Sequence, residues 1–349
     1  MRKVTDYTKF EVFENNVSNE IYESIQADVS SAIKSLTPFQ KKANLFLVIS
    51  SLLFFVLFVI SFVGFLNQNI WILGVVGSLF VANLFFLITC FFISNKNKKT
   101  INQKVADGQK ILNYYKKAFE ALGELEYLNQ EELQKNYTYT FDMTASFLMA
   151  NKPSSVPSDA RIQSIKKTHF IGVYQKYPLF VTNCTYVWYR HVKNNRVKYE
   201  KNYTVMYLDT TTLKERSKTT FRFFSGGSSL FKKDNYSLTE NPDFNKIFRP
   251  LAEDPVKFRM IATPLYMENA LKRIKDKNGF LYNIDKFLVT PNSCLIFVNS
   301  NAGVLELNYA TPFIYNEQKI VKKIYSDIIY DCYAIYYPLS LITMSSYLD

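Results

Sequence analysis

Between Ala43 and Asn95 the chain has no Asp, Glu, Lys, Arg or His. Such an absence excludes a solvated loop or an ordinary surface helix there. Only Asn67-Gln68-Asn69 breaks the stretch, dividing it into two apolar runs, Ala43–Leu66 and Ile70–Ile93. A helix rises about 1.5 Å per residue and a hydrocarbon core is about 30 Å thick, so each run is long enough to cross a bilayer. The first run starts after 42 polar-rich residues, which does not fit a cleavable signal peptide. The chain also lacks a Gly at position 2 and a prenylation Cys near its end, so anchoring falls to the two runs.

Catalytic signatures are equally sparse. The four cysteines, Cys90, Cys184, Cys294 and Cys332, form no Cys-x-x-Cys pair. They read as buried thiols of a reducing compartment and not as a zinc site or disulfide framework. The two histidines, His169 and His191, have no matched Ser or Cys at a telling spacing. There is no Walker loop, dinucleotide-binding glycine set or His-Glu-x-x-His. Ser225-Gly226-Gly227-Ser228 lacks strand–helix framing and reads as a linker, and Asp254, Asp327 and Asp331 read as surface or helix-end charges. No catalytic, cofactor-binding or metal-binding residue is assigned, and no cofactor is expected.

Charge orients the apolar runs. Lys34, Lys41 and Lys42 precede the first; Lys96, Lys98, Lys99 and Lys104 follow the second; the connection carries none. By the positive-inside rule this is a two-span protein of the cell membrane with both termini in the cytoplasm. Gly74, Ser78 and Ala82 recur every four residues with Gly77 beside them, a stripe on which a neighbouring helix can approach closely. The simplest neighbour is the first span; a second copy, forming a homo-oligomer, is the alternative. Asn83, near mid-membrane, requires a hydrogen bond from a facing Ser or a backbone carbonyl. Without an intramembrane charge, an ion path is not indicated.

The flanks are amphipathic. Phe10, Phe13, Val17, Ile21, Ile25, Val29, Ala32 and Leu36 form one helical stripe ending before Thr37-Pro38. Ile101, Val105, Leu112, Tyr115, Phe119 and Leu122 form another. Residues 1–42 balance six basic against six acidic side chains, unlike a Lys/Arg-rich interfacial helix. The two stripes predict a short antiparallel helical stalk.

Four segments result: a helical arm over 1–42, the hairpin over 43–95, a second arm over 96–135, and an α+β domain of mostly antiparallel sheet plus helices over 136–349. In the last, Tyr137–Phe141, Thr168–Tyr174, Leu179–Val192, Val197–Leu208 and Thr219–Phe224 read as strands, with a turn at Lys193-Asn194-Asn195-Arg196. Leu148–Ile162 reads as a loop. Asn241-Pro242-Asp243 and Thr263-Pro264 open helices. Strands at Phe287–Val289, Cys294–Val298 and Val304–Leu307 precede a last helix, Glu317–Tyr337, stopped by Pro338.

Residues 161–233 hold 15 Lys and Arg against 3 Asp and Glu, a balance equal to the whole chain's +12. Lys166, Lys167, Lys176, Arg190, Lys193, Arg196, Lys198 and Lys201 are interleaved with Tyr174, Tyr186, Trp188, Tyr189 and Tyr199. Such a patch can face anionic lipid headgroups, where each cation contributes roughly 1 kcal/mol. It can also be a solvated face, or bind single-stranded nucleic acid, which ranks last.

Glu240-Asn241-Pro242-Asp243-Phe244-Asn245-Lys246-Ile247-Phe248, Asp254, and Arg259-Met260-Ile261-Ala262-Thr263-Pro264-Leu265-Tyr266-Met267-Glu268 together resemble the signature of the bacterial membrane-protein family catalogued as domain of unknown function 3137. The resemblance implies a pair of membrane spans ahead of the domain and a strand carrying Arg259. It brings no activity with it, and the family's acidic-Gly stretch is missing where Ile165–Tyr174 stands. In the motif, Phe244, Phe248, Leu265 and Met267 are expected in the core, with Asn241 and Thr263 as caps. The composite expectation is a membrane-anchored cytosolic module that binds a protein partner or the anionic inner membrane surface. The alternative is a tethered enzyme or small-ligand receptor with a dispersed site in 136–349.

Overall fold

The computed structural model describes residues 7–66, 70–105, 108–128, 135, 143–165, 170–193, 195–224, 239–275, 284–300, 303–305 and 316–343. Helices α1 (Phe10–Lys34), α2 (Pro38–Leu66), α3 (Ile70–Val105) and α4 (Gly108–Glu120) come first. Then follow β1 (Leu125–Tyr127), α5 (Ala145–Ala150), β2 (Arg161–Ile165), β3 (Phe170–Tyr174), β4 (Tyr177–Val192), β5 (Asn195–Asp209) and β6 (Phe221–Phe223). The chain continues through α6 (Pro242–Phe248), β7 (Leu251–Ala252), α7 (Pro255–Ile261), α8 (Pro264–Lys275), β8 (Ile284–Thr290), β9 (Ser293–Asn299) and α9 (Glu317–Thr343). These form two compact units, one of Ser18–Tyr114 with Leu307–Asp327, the other of Met1–Val17, Tyr115–Glu306 and Ile328–Asp349. The expected strand at Tyr137–Phe141 lies outside the described residues, as do Lys166, Lys167, His169 and Ser225–Ser229.

In the helical unit, α2 and α3 are long and apolar enough to cross a membrane, and only 11% of each apolar window is buried. Leu52, Phe55, Phe85 and Phe92 are each about two-thirds exposed. Thr37 caps α2 reciprocally: its Oγ1 accepts from the Gln40 N–H at 3.3 Å while Gln40 Oε1 accepts from the Thr37 N–H at 2.8 Å. Less exposed positions recur at Ser50, Phe54, Leu57, Ser61 and Gly64, and at Phe80, Asn83, Leu87, Cys90, Ser94 and Asn97. Steps alternating four and three are the seam of a left-handed helix pair.

Polar rungs set the register of that pair. Ser50 Oγ donates to Asn83 Oδ1 at 2.6 Å, and Asn83 Nδ2 returns a bond to the Ser50 carbonyl at 3.0 Å. Ser94 donates to Asn44, and Asn97 Nδ2 donates to the Gln40 carbonyl at 2.8 Å. The stripe of Gly74, Ser78 and Ala82 is exposed and is not the face that meets α2. Ser78 Oγ bonds back to the Gly74 carbonyl at 2.8 Å, and a Cβ at Gly74 or Gly77 would meet nothing within 4 Å. The seam excludes the stripe because Asn83 must turn inward to satisfy its amide, which rotates Ala82 outward.

The stalk contains a third helix. Lys110 and Tyr114 of α4 both reach Asp28 of α1, the lysine at 2.5 Å, while Tyr22 of α1 packs edge-on against Tyr325 of α9 at 5.6 Å. The α1 stripe is buried as its spacing predicts. On α4 Tyr114 is buried, whereas Leu112 is exposed.

The sheet unit holds a single antiparallel sheet in the order β1-β3-β4-β5-β9-β8-β6-β7, with β2 also paired to β4. The mostly antiparallel sheet with flanking helices is compatible with an α+β fold. Long strands β4 and β5 pair from Leu179↔Leu208 to Val192↔Asn195, so the turn is two residues shorter than the Lys193–Arg196 signal suggests. Residues 148–162 are not all loop. Thr144 caps α5 through the Phe147 N–H, and Arg161 and Ile162 already pair with β4. Of the strand expected over Val304–Leu307, Val304 and Leu305 form a bend and the rest lies outside the described residues.

Asn241 caps α6, with Oδ1 accepting from the Phe244 N–H at 3.0 Å. Arg259, expected on a strand, lies on α7, because Asp254 accepts from the Val256 and Lys257 N–H groups, each at 3.0 Å, and Pro255 presets the first turn. Phe244, Phe248 and Met267 are buried, but Leu265 is half exposed and Tyr266 takes its place inside. Thr263 Oγ1 accepts from the Tyr266 N–H at 3.3 Å.

Helix α9 runs through Pro338 to Thr343. A proline inside a helix costs about 3 kcal/mol. Burial around Arg273 of α8 offsets that cost. Its guanidinium is fully buried, 4.1 Å from the Tyr337 ring and 4.3 Å from that of Tyr7, with Nε donating to Ser340 Oγ at 3.1 Å and Nη1 to the Tyr333 hydroxyl. Tyr337 in turn donates to the Arg273 carbonyl at 3.0 Å. Ending the helix at Tyr337 would remove Ser340 from this cage.

At Gly172 a Cβ would stand 2.3 Å from the Glu126 carbonyl oxygen and 2.9 Å from the Phe170 ring, where β1 crosses β3. Gly172→Ala is expected to destabilise the sheet unit by about 1–3 kcal/mol, read as a lower unfolding midpoint of the full chain in nanodiscs. Gly77→Ala, with open space around it, should leave that midpoint unchanged or slightly raised.

Candidate functional site

The β4–β5 ladder outruns its neighbours. On one side β9 accompanies β5 only from Asn299↔Tyr203 to Ser293↔Asp209, with one further bond from the Ser300 N–H to the Asn202 carbonyl. On the other side β2 leaves β4 at Val187. Among the described residues the segment from Trp188 to Tyr199 is therefore a two-stranded arm. An isolated ribbon of this kind is marginal in water, so its cross-strand pairs must carry it. Trp188 stacks on Tyr199, directly opposite, at 5.9 Å and 10°. The Arg196 guanidinium lies 4.2 Å from the Tyr189 ring. Tyr189, Val192, Val197 and Tyr199 are 36–45% exposed, an apolar surface unusual for a solvated hairpin.

The sequence-predicted cations are divided. Lys176 sits at the β3–β4 turn, the far end of β4 from Lys193, with its ammonium 5.3 Å from the Tyr177 ring. Arg190 and Arg196 belong to opposite faces of the arm, because side chains alternate along a strand and Arg196 pairs with His191. Arg190 forms a bidentate pair with Asp159 at 2.6 and 3.0 Å, and this forked bond holds the Asp159 carboxyl below the usual carboxylate range. Lys198 meets Glu200 at 3.0 Å on exposed surface, where such pairs contribute little. Lys201 pairs with Asp285 at 2.6 Å. Lys193, Arg196 and Lys198 remain together at the arm's outer end, with Arg190 behind them.

One face of the arm's base is concave. A depression of about 700 Å³ is lined by Arg161, Val187, Tyr189, His191, Arg196 and Lys198, together with Asp159, Gln163 and Trp188. The alternation that puts Val187, Tyr189 and His191 on one face also brings Arg161, Lys198 and Arg196 there, their respective cross-strand partners. Arg161 was not singled out from sequence. The signal that finds it is its register opposite Val187, which no local pattern shows.

A second polar group lies on the other sheet face. Asp285 Oδ2 accepts from Lys201 Nζ at 2.6 Å, Tyr203 at 2.6 Å and Ser155 at 2.9 Å. Burial alone would raise the Asp285 carboxyl, but these three donors hold it below its ordinary value. All three converge on one oxygen, an arrangement that fastens the 151–160 segment to β5 and β8. Asp331 is more than a helix-end charge, because it accepts from the Tyr115 hydroxyl at 2.8 Å and the Leu305 N–H at 2.7 Å. All four cysteines are free and buried; burial pushes the Cys184 thiol up to about 12, which suppresses thiolate chemistry. Among the described residues no three His, Cys, Asp or Glu side chains gather as metal ligands.

Compared with known proteins, the chain matches no family profile, no curated protein and no solved structure.

Beside Asp285, Lys286 donates to the Asn151 carbonyl at 2.6 Å; burial, with Arg222 nearby, pushes its ammonium down to about 8. The unfolded side chain titrates near 10.4, so between these values the unfolded state binds more protons and stability rises with pH. Lys286→Met should remove that increment, measured as the difference between the two proteins' unfolding midpoints from pH 7.5 to 10.5.

Proposed function

We propose that this chain is a membrane-anchored, non-catalytic interaction module. In this reading α2 and α3 span the cell membrane, both termini lie in the cytoplasm, and the β4–β5 arm binds the anionic inner membrane surface. The observation that carries it is the arm itself: Tyr189 and Tyr199 exposed and Trp188 half-buried beside Arg190, Lys193, Arg196 and Lys198, beyond the cover of β2 and β9. Aromatic rings with one wet edge favour the headgroup layer, and clustered Lys and Arg favour an anionic leaflet. The exposed apolar faces of α2 and α3 and the seven flanking lysines support insertion and orientation. Kinship with the family that residues 240–268 resemble belongs to the same proposal.

A protein partner on the same arm is the alternative occupant. An enzyme is less favoured, since the depression beside His191 is open and its carboxylate, Asp159, is committed to Arg190.

The chain has two tryptophans, Trp71 at the start of α3 and Trp188 in the arm. Trp71→Phe and Trp188→Phe therefore each leave a single reporter. In nanodiscs, Trp71 should be shielded from aqueous quencher whatever the headgroup. Trp188 should be shielded and blue-shifted only when phosphatidylglycerol is present, and released near 1 M salt, where the Debye length is about 3 Å. Indifference of Trp188 to anionic lipid would remove the arm's proposed role.

A further inference from the structure

The depression at the arm's base has a more specific chemistry than a general attraction to negative charge. Arg161, Arg196 and Lys198 project from one sheet face, fixed by their pairing with Val187, His191 and Tyr189. The carboxylate that lines it, Asp159, is taken up by Arg190 through two bonds. Glu200 offsets Lys198, but weakly, since both ends of that pair are nearly half exposed. Among the described residues neither Arg161 nor Arg196 has a carboxylate partner. Arg196 is moreover held in place by the Tyr189 ring and does not sweep free through solvent.

Two guanidiniums, an ammonium and an imidazole around an aromatic wall match a compact, multiply charged oxyanion with an organic part. Guanidinium forks fit phosphate oxygens bidentately, and the wall of Tyr189 and Val187 suits the ester's carbon side. The volume, about 700 Å³, lies within the range of small-ligand sites. We infer that this depression is a phosphate-ester site. The inference deepens the membrane-surface reading and rests on it for one source of ligand, the headgroup phosphate of an anionic phospholipid. A soluble glycerol phosphate carries the same group.

The test uses the full chain with Trp71→Phe, in which Trp188, between Val187 and Tyr189 in β4, is the single tryptophan reporter. In neutral phosphatidylcholine nanodiscs, sn-glycerol 3-phosphate should change Trp188 emission saturably. Arg161→Gln and Arg196→Gln should each weaken that response about tenfold, the loss of one charge-assisted contact. Lys176→Gln, at the far end of β4, should leave it unchanged. In phosphatidylglycerol nanodiscs the titration should shift to higher ligand concentration as the headgroup competes. No saturable response in neutral discs, or an equal one in the two arginine variants with circular dichroism unaltered, would overturn the site. A phosphatidylglycerol effect without a glycerol phosphate response likewise overturns it, while sparing the membrane-surface reading. A saturable response identical in both kinds of disc keeps the site and removes the membrane as its source.

Discussion

The pairing of β4 with β5 is the constraint on which the sheet unit depends. Among the described residues it is the longest ladder: β3 and then β2 add along β4, and β9 adds along the inner half of β5. Register in such a ladder is all or nothing, because a slip of one residue exchanges the two faces. A slip would carry Tyr186 and Tyr203 out of the core and turn Arg196 away from Arg161. Core and site are thus set by the same hydrogen bonds. The ladder's inner half is buried; its outer half, where β2 and β9 no longer pair with it, carries charge and aromatic rings.

The helical unit solves the opposite problem. In the bilayer where the proposal places α2 and α3, lipid offers no hydrophobic gradient to pull one onto the other, and polar contacts would specify the pair. The rungs at Ser50–Asn83, Asn44–Ser94 and Gln40–Asn97 do this along a seam otherwise filled by residues such as Phe54, which meets Phe80 at 4.4 Å. The outer faces are left apolar but for residues such as Ser51, Ser78 and Thr89, whose hydroxyls bond back to their own helix.

Much of this was legible where a local rule operates. Absent charge marked the two long helices, runs rich in Val, Tyr, Trp and Phe with a polar turn marked β4 and β5, and Asn-Pro and Thr-Pro marked the starts of α6 and α8. Reading failed where a distant partner decides. The Gly74–Ala82 stripe has the right spacing for packing, yet Asn83's need for Ser50 chose another face. Pro338 is a stop signal that the cage around Arg273 overrides. The cations of residues 161–233 looked like one patch because composition does not record which strand face each occupies, or that Asp159 and Asp285 each claim one of them. Asp254-Pro255 was a readable cap, outweighed by the strand that the family resemblance implied.

The central claim is that the arm meets an anionic membrane. Val192 at its tip is exposed and the native cysteines are buried, so Val192→Cys accepts a spin label selectively. Accessibility of that label to oxygen and to a nickel chelate, measured in nanodiscs with and without phosphatidylglycerol, reads its depth directly. The account predicts a label at headgroup depth in anionic discs and in bulk water in neutral ones. Equal nickel accessibility in the two would contradict it.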